Sequence, residues 1–219
     1  LEAVRKHGCQ RMIQTSTSEV YGTPHEIPIK ETHPLQGQSP YSATKIAADK
    51  LCEAYFSSFD IPVVTLRPFN TYGPRQSTRA VLPTILTQLL SGKKEVKLGN
   101  TTAKRDLTFV NDTVRGFIKV AEAENVEGKT IQLGTGKTYS VQEVFEISCE
   151  ILHCHAEIIT DVQRVRPSRS EVEILLSDPS LAKEILGWTA EFDLRQGLKE
   201  TATWLTQNLA YYRTDVYHR

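Results

Sequence analysis

The stretch RMIQTSTSEVYG, from Arg11 to Gly22, is a short apolar run that passes into polar residues and a glycine. This pattern predicts a strand followed by a polar turn. The preceding segment, LEAVRKHGC, predicts the last turns of a helix that ends at Gly8. Helix, strand and polar turn in this order are typical of an α/β fold, in which ligands bind beyond the carboxyl ends of the strands. The residues expected at that edge are Thr17, Ser18 and Glu19.

The next informative segment is YSATK, Tyr41 to Lys45. Ser39 and Pro40 before it predict a helix start, and the helix is expected to continue to Phe59. A tyrosine and a lysine four residues apart lie on one helix face, so the ammonium can favour the ionised phenol. A free phenol ionises only near pH 10, which makes such a cation useful for a general base. The pair is a candidate proton acceptor, but as a short motif it is not specific alone.

The rest of the chain continues the α/β alternation. IPVVTLRPFN, Ile61 to Asn70, predicts a strand buried in a parallel sheet, so Asn70 would emerge at the same edge as Glu19. A helix is expected from Ala80 to Gly92. Further strands are predicted at Val96–Leu98, Thr130–Gly134, Ala156–Thr160 and Glu171–Leu176, and helices at Asn111–Ala123, Ser140–Leu152, Asp178–Leu186 and Leu194–Leu209. No internal repeat occurs.

Charge and composition restrict the partners. Lys plus Arg and Asp plus Glu number 26 each, so no net field favours nucleic acid or an anionic membrane. An anionic ligand would have to be held by a few local arginines. The sequence has no secretory signal and no apolar run of membrane-spanning length. A cytoplasmic location is therefore expected.

The cysteines and histidines near residue 150 raise the question of a metal. Cys149, His153, Cys154 and His155 are close in sequence, but the two cysteines are five residues apart and no second ligand pair accompanies them. The end of an ordinary amphipathic helix is the preferred interpretation, and no metal site is predicted. The segment GTGKT, Gly134 to Thr138, is interpreted as a turn, because it matches neither GxGxxG nor the complete P-loop pattern.

Several co-linear motifs carry a family resemblance. TSTSEVYG, YSATK, RPFNTYGPR, KRDLTFVND, RVRPSR and LGW occur in the order and approximate spacing of extended short-chain dehydrogenases that act on nucleotide sugars. Within that family the chain most resembles the NAD-dependent N-acetylglucosamine 4,6-dehydratases of legionaminic acid biosynthesis. The same Thr-Ser-Glu order also resembles GDP-mannose 4,6-dehydratases and UDP-glucuronate decarboxylases. The resemblance covers essentially the whole chain.

The resemblance implies a reaction and roles for five residues. Tyr41 would take the proton of a sugar 4-hydroxyl while NAD takes the hydride, and Lys45 would assist Tyr41 and bind the cofactor ribose. Glu19 would then remove the C5 proton made acidic by the 4-ketone, water would leave C6, and the hydride would return there. Thr17 would bond the reacting hydroxyl region. Because Ser18 stands where related enzymes often have Asp, the proton donor is either Glu19 or a water.

The resemblance also implies a substrate site. Asn70, Arg105 and Arg166 would contact a nucleotide sugar, with Arg75 as a further candidate. Arginine suits this task because its planar fork binds phosphate through two bonds. The two tryptophans, Trp188 and Trp204, are expected to be packing residues. The sequence does not choose among UDP, GDP and dTDP.

The resemblance predicts the domain organisation as well. Residues 1–79 would form the C-terminal portion of a Rossmann-like NAD-binding domain, with the catalytic motifs. Residues 80–219 would form mainly a smaller α/β domain that binds the nucleotide sugar, and some of their segments could return to the first domain. The glycine-rich strand, turn and helix that begins such enzymes has no match here, so the chain is expected to be a fragment. A homodimer is expected for the complete protein. The alternatives are a UDP-glucuronate decarboxylase, a 4-epimerase, and a catalytically silent module that binds a nucleotide sugar or a partner.

Overall fold

The structure is a computed structural model that describes residues 1–165, 167 and 170–212. Its residues divide into two compact units, and each unit is built from three separate stretches of chain. The first unit comprises residues 1–71, 105–138 and 174–191, and the second comprises residues 72–104, 139–173 and 192–219. In the described residues no helix is long and apolar enough to cross a membrane.

The first unit contains a parallel sheet with helices around it, as the sequence predicts for an α/β fold. Strand β1 (Met12–Thr15) lies beside β2 (Val63–Pro68), which lies beside β7 (Thr130–Leu133). Thr15 pairs with Leu66 in this parallel register. The other elements of the unit are α1 (Glu2–His7), a 3₁₀ turn (Ser18–Tyr21), α2 (Pro40–Phe59), β6 (Thr108–Phe109), α4 (Val110–Glu122) and α6 (Ser180–Leu186).

The core of the first unit lies on the side of the sheet covered by α4 and α6. Val64 and Leu66 of β2 and Ile131 and Leu133 of β7 are almost fully buried in one cluster. Trp188 joins this cluster, and its indole N–H donates to the Asp112 carbonyl at 3.0 Å. This confirms Trp188 as a packing residue, since its polar atom is satisfied inside the protein.

The described part of the second unit has a smaller sheet and three α-helices. Strand β4 (Glu95–Leu98) pairs in parallel with β9 (Glu157–Thr160). Helices α3 (Val81–Leu90), α5 (Val141–Ile151) and α7 (Leu194–Asn208) pack against one another. Among its described residues are also 3₁₀ turns at Val162–Arg164 and Leu209–Tyr211. Short strands occur where the chain changes unit: β3 (Thr71–Tyr72), β5 (Lys104–Asp106), β8 (Thr138–Ser140) and β10 (Ile174–Leu175).

Most predicted elements are present within one to three residues of their expected ends. Helix α2 begins at Pro40 and ends at Phe59, as predicted. The polar loop expected after β1 is instead a 3₁₀ turn, capped by the Thr17 side chain, which accepts the Glu19 N–H. Pro83 lies in the first turn of α3, where its missing N–H has no helical partner to lose.

Candidate active site

The candidate site is positioned by the carboxyl ends of β1 and β2. Because these strands are parallel and in register, the residues that follow Thr15 and Pro68 emerge at the same edge of the sheet. Glu19 on the 3₁₀ turn and Asn70 after β2 both follow those ends, as predicted. Helix α2 packs against β1, β2 and the 3₁₀ turn, and so brings its own first turns to this region.

Two hydrogen bonds fix α2 to the end of β1. The Lys45 ammonium donates to the Thr15 carbonyl at 2.9 Å. One helical turn later, the Asp49 carboxylate accepts the Ser16 hydroxyl at 2.8 Å, and both of those residues are buried. An ammonium has three N–H donors, so Lys45 keeps two for other partners.

Tyr41 and Lys45 form the pair that the YSATK motif predicts. The Lys45 nitrogen lies 5.9 Å from the centre of the Tyr41 ring, within the range of a cation–π contact. Tyr41 is 53% exposed, and none of the hydrogen bonds between described residues uses its phenol oxygen. The phenol is therefore accessible to a ligand on this face of the helix.

The three residues of the turn are placed differently from one another. Thr17 caps the turn through its side chain, and Ser18 is 1% exposed. Glu19 is only partly buried, and its carboxylate forms no hydrogen bond or ion pair within the described part of the chain. Of the three, Glu19 thus has the side chain most available for chemistry. The catalytic assignments of Thr17 and Ser18 stay predictions.

The side-chain oxygen of Asn70 is buried without a hydrogen-bond donor among the described residues. Its backbone carbonyl accepts the Thr108 N–H at 3.1 Å, but its side-chain Oδ1 is buried and has no hydrogen-bond partner among the described residues. A buried acceptor without a partner is unfavourable, and most buried polar atoms in folded proteins are bonded. The side chain is therefore suited to a ligand that donates a hydrogen bond.

The arginines predicted for the substrate are distributed over the chain. Arg105 is half-buried on β5, beside the fully buried Asp106. Arg75 belongs to the second unit. Arg166 lies outside the described residues.

Asp106 is a structural residue that sequence reasoning missed. Its carboxylate accepts the N–H groups of Thr135 and Gly136 at 2.8 and 3.0 Å and both the N–H and the hydroxyl of Ser177. GTGKT is therefore a connection between β7 and β8 held by a buried carboxylate. The sequence feature that could have indicated this role is the position of Asp106 directly after Arg105 in the motif KRDLTFVND.

A buried polar network around Arg67 was also not predicted from the sequence. The Arg67 guanidinium donates to the Asp49 carboxylate at 3.1 Å and to the Tyr21 hydroxyl at 3.2 Å. The Tyr21 hydroxyl in turn donates to the Gln132 side-chain oxygen at 2.9 Å. Burial is the main cause that raises the pKa of Tyr21 to about 12, so this phenol stays neutral. The sequence signal was an arginine inside the otherwise apolar strand IPVVTLRPFN.

The residues present fit one end of a nicotinamide cofactor. Tyr41 and Lys45 offer a phenol and free ammonium donors on one helix face, which suits the hydroxyls of a ribose. The glycine-rich turn that would hold the pyrophosphate has no counterpart in the sequence. Among the described residues, no group of three or more His, Cys, Asp or Glu could hold a metal ion.

The parallel sheet, the Tyr–Lys pair on α2 and the acidic turn after β1 define an α/β enzyme class of the short-chain dehydrogenase type. A family model described as GDP-mannose 4,6 dehydratase matches residues 1–201. The chain belongs to this family of NAD-dependent nucleotide-sugar dehydratases and epimerases.

Individual relatives include both reaction types. A UDP-glucose epimerase of Bacillus subtilis, itself uncharacterised, is 32% identical, and the match covers 94% of this chain and 64% of that protein. The structure of dTDP-glucose 4,6-dehydratase from Bacillus anthracis in complex with NAD is 28% identical, with a TM-score of 0.85 over 96% of this chain and 66% of that one. UDP-glucuronic acid 4-epimerase from Bacillus cereus, solved with UDP-glucuronic acid and NAD, is also 28% identical, with a TM-score of 0.87 over 94% and 65%. The chain thus spans about two thirds of the length of these relatives.

Proposed function

We propose that this chain carries the catalytic side chains of an NAD-dependent nucleotide-sugar 4,6-dehydratase. The proposed substrate is a nucleoside diphosphate N-acetylglucosamine or a similar hexose. The observation that supports a dehydratase is Glu19, a partly buried carboxylate without a protein partner, on the turn that follows β1 and packs against α2. A 4-epimerase needs only a base for the 4-hydroxyl, whereas elimination of water needs a second acid/base group.

The roles of the side chains follow from the bonds that must change. Tyr41 takes the proton of the sugar 4-hydroxyl as C4 is oxidised, and Lys45 stabilises the phenolate from its position beside the ring. NAD, which Tyr41 and Lys45 would help to hold, would supply the hydride acceptor for C4 and the hydride donor for C6. The 4-ketone makes the C5 hydrogen acidic, and Glu19 removes it. Loss of the C6 hydroxyl as water, with its proton supplied by Glu19 or by a water, completes the elimination and leaves an unsaturated 4-ketone. Addition of the hydride at C6 is matched by a proton from solvent at C5, which gives the 4-keto-6-deoxy sugar.

The substrate is proposed to be bound by the Asn70 amide and by arginine side chains. Asn70 offers an unpaired buried oxygen that a sugar or ribose hydroxyl could satisfy. Arg105, Arg166 and Arg75 are proposed to bind the diphosphate, because arginine pairs with phosphate oxygens in a bidentate way. Thr17 is proposed to bond the reacting hydroxyl region. The expected homodimer also stays a prediction, which light scattering of the purified protein would check.

Mass spectrometry of the products tests this proposal. The protein, extended upstream to include a glycine-rich cofactor segment, is incubated with NAD and separately with UDP-N-acetylglucosamine, GDP-mannose, dTDP-glucose and UDP-glucuronic acid. We expect one of the hexose substrates to lose 18 mass units in ordinary water, and to take up one deuterium at C5 when the reaction is run in heavy water. Loss of carbon dioxide would instead identify a decarboxylase, and an unchanged mass with inversion at C4 would identify an epimerase. No turnover of any of them would favour the silent module.

Two variants separate the steps. Glu19→Gln should slow water loss by about 10²–10⁴-fold, the usual contribution of a general acid or base, while C4 oxidation persists. Tyr41→Phe should stop both steps. Glu26→Gln, which removes an exposed carboxylate from the following loop, is the matched control and should keep the original rate. Equal water loss in Glu19→Gln and the parent protein would refute the role of Glu19.

A further inference from the structure

Helix α5 ends in a reversal of the chain that brings two cysteines together. The Cys154 N–H donates to the Cys149 carbonyl at 3.1 Å, and the His153 N–H donates to the Glu150 carbonyl at 3.2 Å. His153 has a φ of 49°, in the left-handed region. These bonds and this conformation define a Schellman motif, in which the two residues joined by the outer bond commonly have side chains in contact. Here those side chains are the thiols of Cys149 and Cys154.

The surroundings of the two thiols give them different reactivities. Burial of the sulfur and, next, the neighbouring Cys154 thiol raise the pKa of Cys149 to about 11, so Cys149 stays protonated at neutral pH. The Glu146 carboxylate, one turn earlier on α5, acts in the same direction. Both cysteines are partly exposed, so a small molecule can reach them. Because the thiolate is the form that attacks a disulfide, exchange with such a molecule begins at Cys154.

The other two cysteines lie elsewhere in the molecule. Cys9 is exposed and Cys52 is buried, and both belong to the first unit, whereas the pair on α5 belongs to the second. Within the part of the chain that the structure describes, no third His, Cys, Asp or Glu joins this pair in a group that could hold a metal ion. Two adjacent thiols without further ligands are suited to the formation of a disulfide.

We propose that Cys149 and Cys154 are a redox site that forms a reversible disulfide by exchange with a low-molecular-weight disulfide such as oxidised glutathione. The Cys154 thiolate attacks one sulfur of the small disulfide, which leaves a mixed disulfide on Cys154 and releases one thiolate that takes up a proton. Cys149 then loses its proton and attacks the Cys154 sulfur, and the second small thiol leaves. The two cysteines lose two electrons, and the small disulfide is reduced to two thiols.

The bond cross-links the end of α5 to the connection that leads into β9. Cys154 lies three residues before Glu157, where β9 begins. A cross-link of this kind restricts the open forms of the segment that it closes. Amide hydrogen exchange between residues 152 and 156 should therefore slow on oxidation. The site is separate from the proposed catalytic residues, which belong to the first unit.

Mass spectrometry of the 219-residue chain after incubation with oxidised glutathione tests the site. Free thiols are blocked with N-ethylmaleimide before digestion. Trypsin cuts after Lys137 and Arg164, so both cysteines of the pair occur on the single peptide 138–164. We expect this peptide to lose two hydrogen atoms and to carry no glutathione, while the exposed Cys9 carries glutathione. Dithiothreitol should restore both reduced forms.

Single variants separate the two roles in the pair. Cys149→Ser removes the thiol that resolves the mixed disulfide, so glutathione should accumulate on Cys154. Cys154→Ser should take up glutathione on the second unit about tenfold more slowly than Cys149→Ser, because the remaining thiol is mostly protonated. Similar rates in the two serine variants would refute the assigned order of attack.

Variants of the residue between the cysteines test the geometry. His153→Pro cannot adopt a φ of 49° and lacks the N–H that bonds the Glu150 carbonyl, so it should form the disulfide about tenfold more slowly. His153→Gly suits this conformation and is the matched control, which should form the bond at least as fast as the parent chain. Circular dichroism establishes that each variant is folded, and the serine variants decide the matter if His153→Pro is not.

The site would be overturned by a peptide 138–164 that stays reduced while Cys9 takes up glutathione. Glutathione on both cysteines of that peptide would show two independent thiols and would equally exclude the site. Disulfide formation at the parent rate in folded His153→Pro would contradict the role of the Schellman motif. Failure here leaves the proposed dehydratase reaction intact, since that is measured by the Glu19-dependent loss of water. Conversely, Glu19→Gln should form the disulfide as readily as the parent chain.

Discussion

Arg67 connects the two elements that carry the proposed acid/base groups. Its Nε donates to Asp49 on α2, and its Nη1 donates to the Tyr21 hydroxyl on the 3₁₀ turn. Its side chain is only 6% exposed, so each of these bonds acts in a medium of low dielectric constant. A buried ion pair contributes little net stability, but loss of one partner leaves the other charge uncompensated. Arg67 is therefore better understood as a residue that fixes geometry.

Gln132 extends the same network across the sheet. Its amide nitrogen donates to the carbonyls of Ile29 and Asp178 at 2.6 and 2.9 Å, while its oxygen accepts from Tyr21. Its backbone N–H donates to the Glu31 carboxylate at 3.1 Å. The loop between the 3₁₀ turn and α2 is thus fixed to β7 by side-chain bonds, without any regular strand pairing.

The pH dependence of stability should report on Glu31. Burial is the main cause that raises the pKa of this carboxyl above its ordinary value of 4.5. The folded state then binds this proton more tightly than the unfolded state, so the stability that Glu31 contributes is fully present below about pH 4.5 and is lost as pH rises through the folded pKa. Glu31→Gln keeps an oxygen that can accept the Gln132 N–H but does not titrate. Its stability relative to the parent should increase from pH 4 to pH 8.

Urea unfolding at several pH values measures this difference. Glu26→Gln removes an exposed carboxyl from the same loop and serves as the control, for which no comparable trend is expected. A difference between Glu31→Gln and the parent that stays constant over the whole range would contradict the assigned cause.

The start of α2 is the element that most directly orients Tyr41. The Ser39 hydroxyl accepts the Ser42 N–H at 3.1 Å, and the Ser42 hydroxyl accepts the Ser39 N–H at 3.0 Å. This capping box satisfies two of the donors left open at a helix start. Tyr41 is the second residue of the helix, so its backbone lies within the capped turn.

Ser39→Ala should therefore weaken the first turn of α2. An N-cap replaced by alanine typically destabilises a protein by about 1 kcal/mol. Ser39→Asp should lose less, because aspartate also caps and its charge favours the positive end of the helix dipole. Urea unfolding gives the free energies, and amide hydrogen exchange reports fraying near Tyr41. Ser57→Ala, which removes a hydroxyl bonded to the Glu53 carbonyl near the other end of α2, is the matched control. Equal exchange near Tyr41 in both variants would show that the cap does not order this turn.

The buried face of α2 could not be predicted from apolar periodicity. Ile46, Leu51 and Tyr55 suggest an apolar side, yet Leu51 is 54% exposed. The residues that the helix buries are Ser42, Asp49 and Cys52. The physical reason is that α2 lies against a polar part of the sheet, where Asp49 meets Ser16 and Arg67. Such pairing depends on three segments distant in sequence, whereas the ends of α2 depend on local signals at Ser39 and Pro40.

Local sequence signals predict the helices and strands of this chain but not their division into two units. The alternation of strands and helices and the parallel sheet of β1 and β2 were predictable, because buried strands and capped helices have local patterns. The sequence predicts a boundary after residue 79, with segments that can return to the first domain, and the chain changes unit five times, first after Thr71. Three of the changes fall inside the short strands β3, β5 and β8, and a fourth falls at the start of β10. The orphan Oδ1 of Asn70 also arises only from tertiary packing.

Binding of NAD depends on more of the fold than the Tyr–Lys pair on α2. Tyr41 and Lys45 offer donors for a ribose, but no glycine-rich turn before a helix is available for the pyrophosphate. A ligand raises the stability of the folded state by RT ln(1 + [L]/Kd), so a ligand at 100 times Kd adds about 2.7 kcal/mol. We expect that 1 mM NAD leaves the Tm of the 219-residue chain unchanged and raises it when a glycine-rich strand, turn and helix precede Leu1. Lys45→Ala should reduce the shift in the extended protein only. A rise in the Tm of the 219-residue chain with NAD that Lys45→Ala abolished would contradict this expectation. It would show that Tyr41 and Lys45 bind the cofactor without a glycine-rich turn.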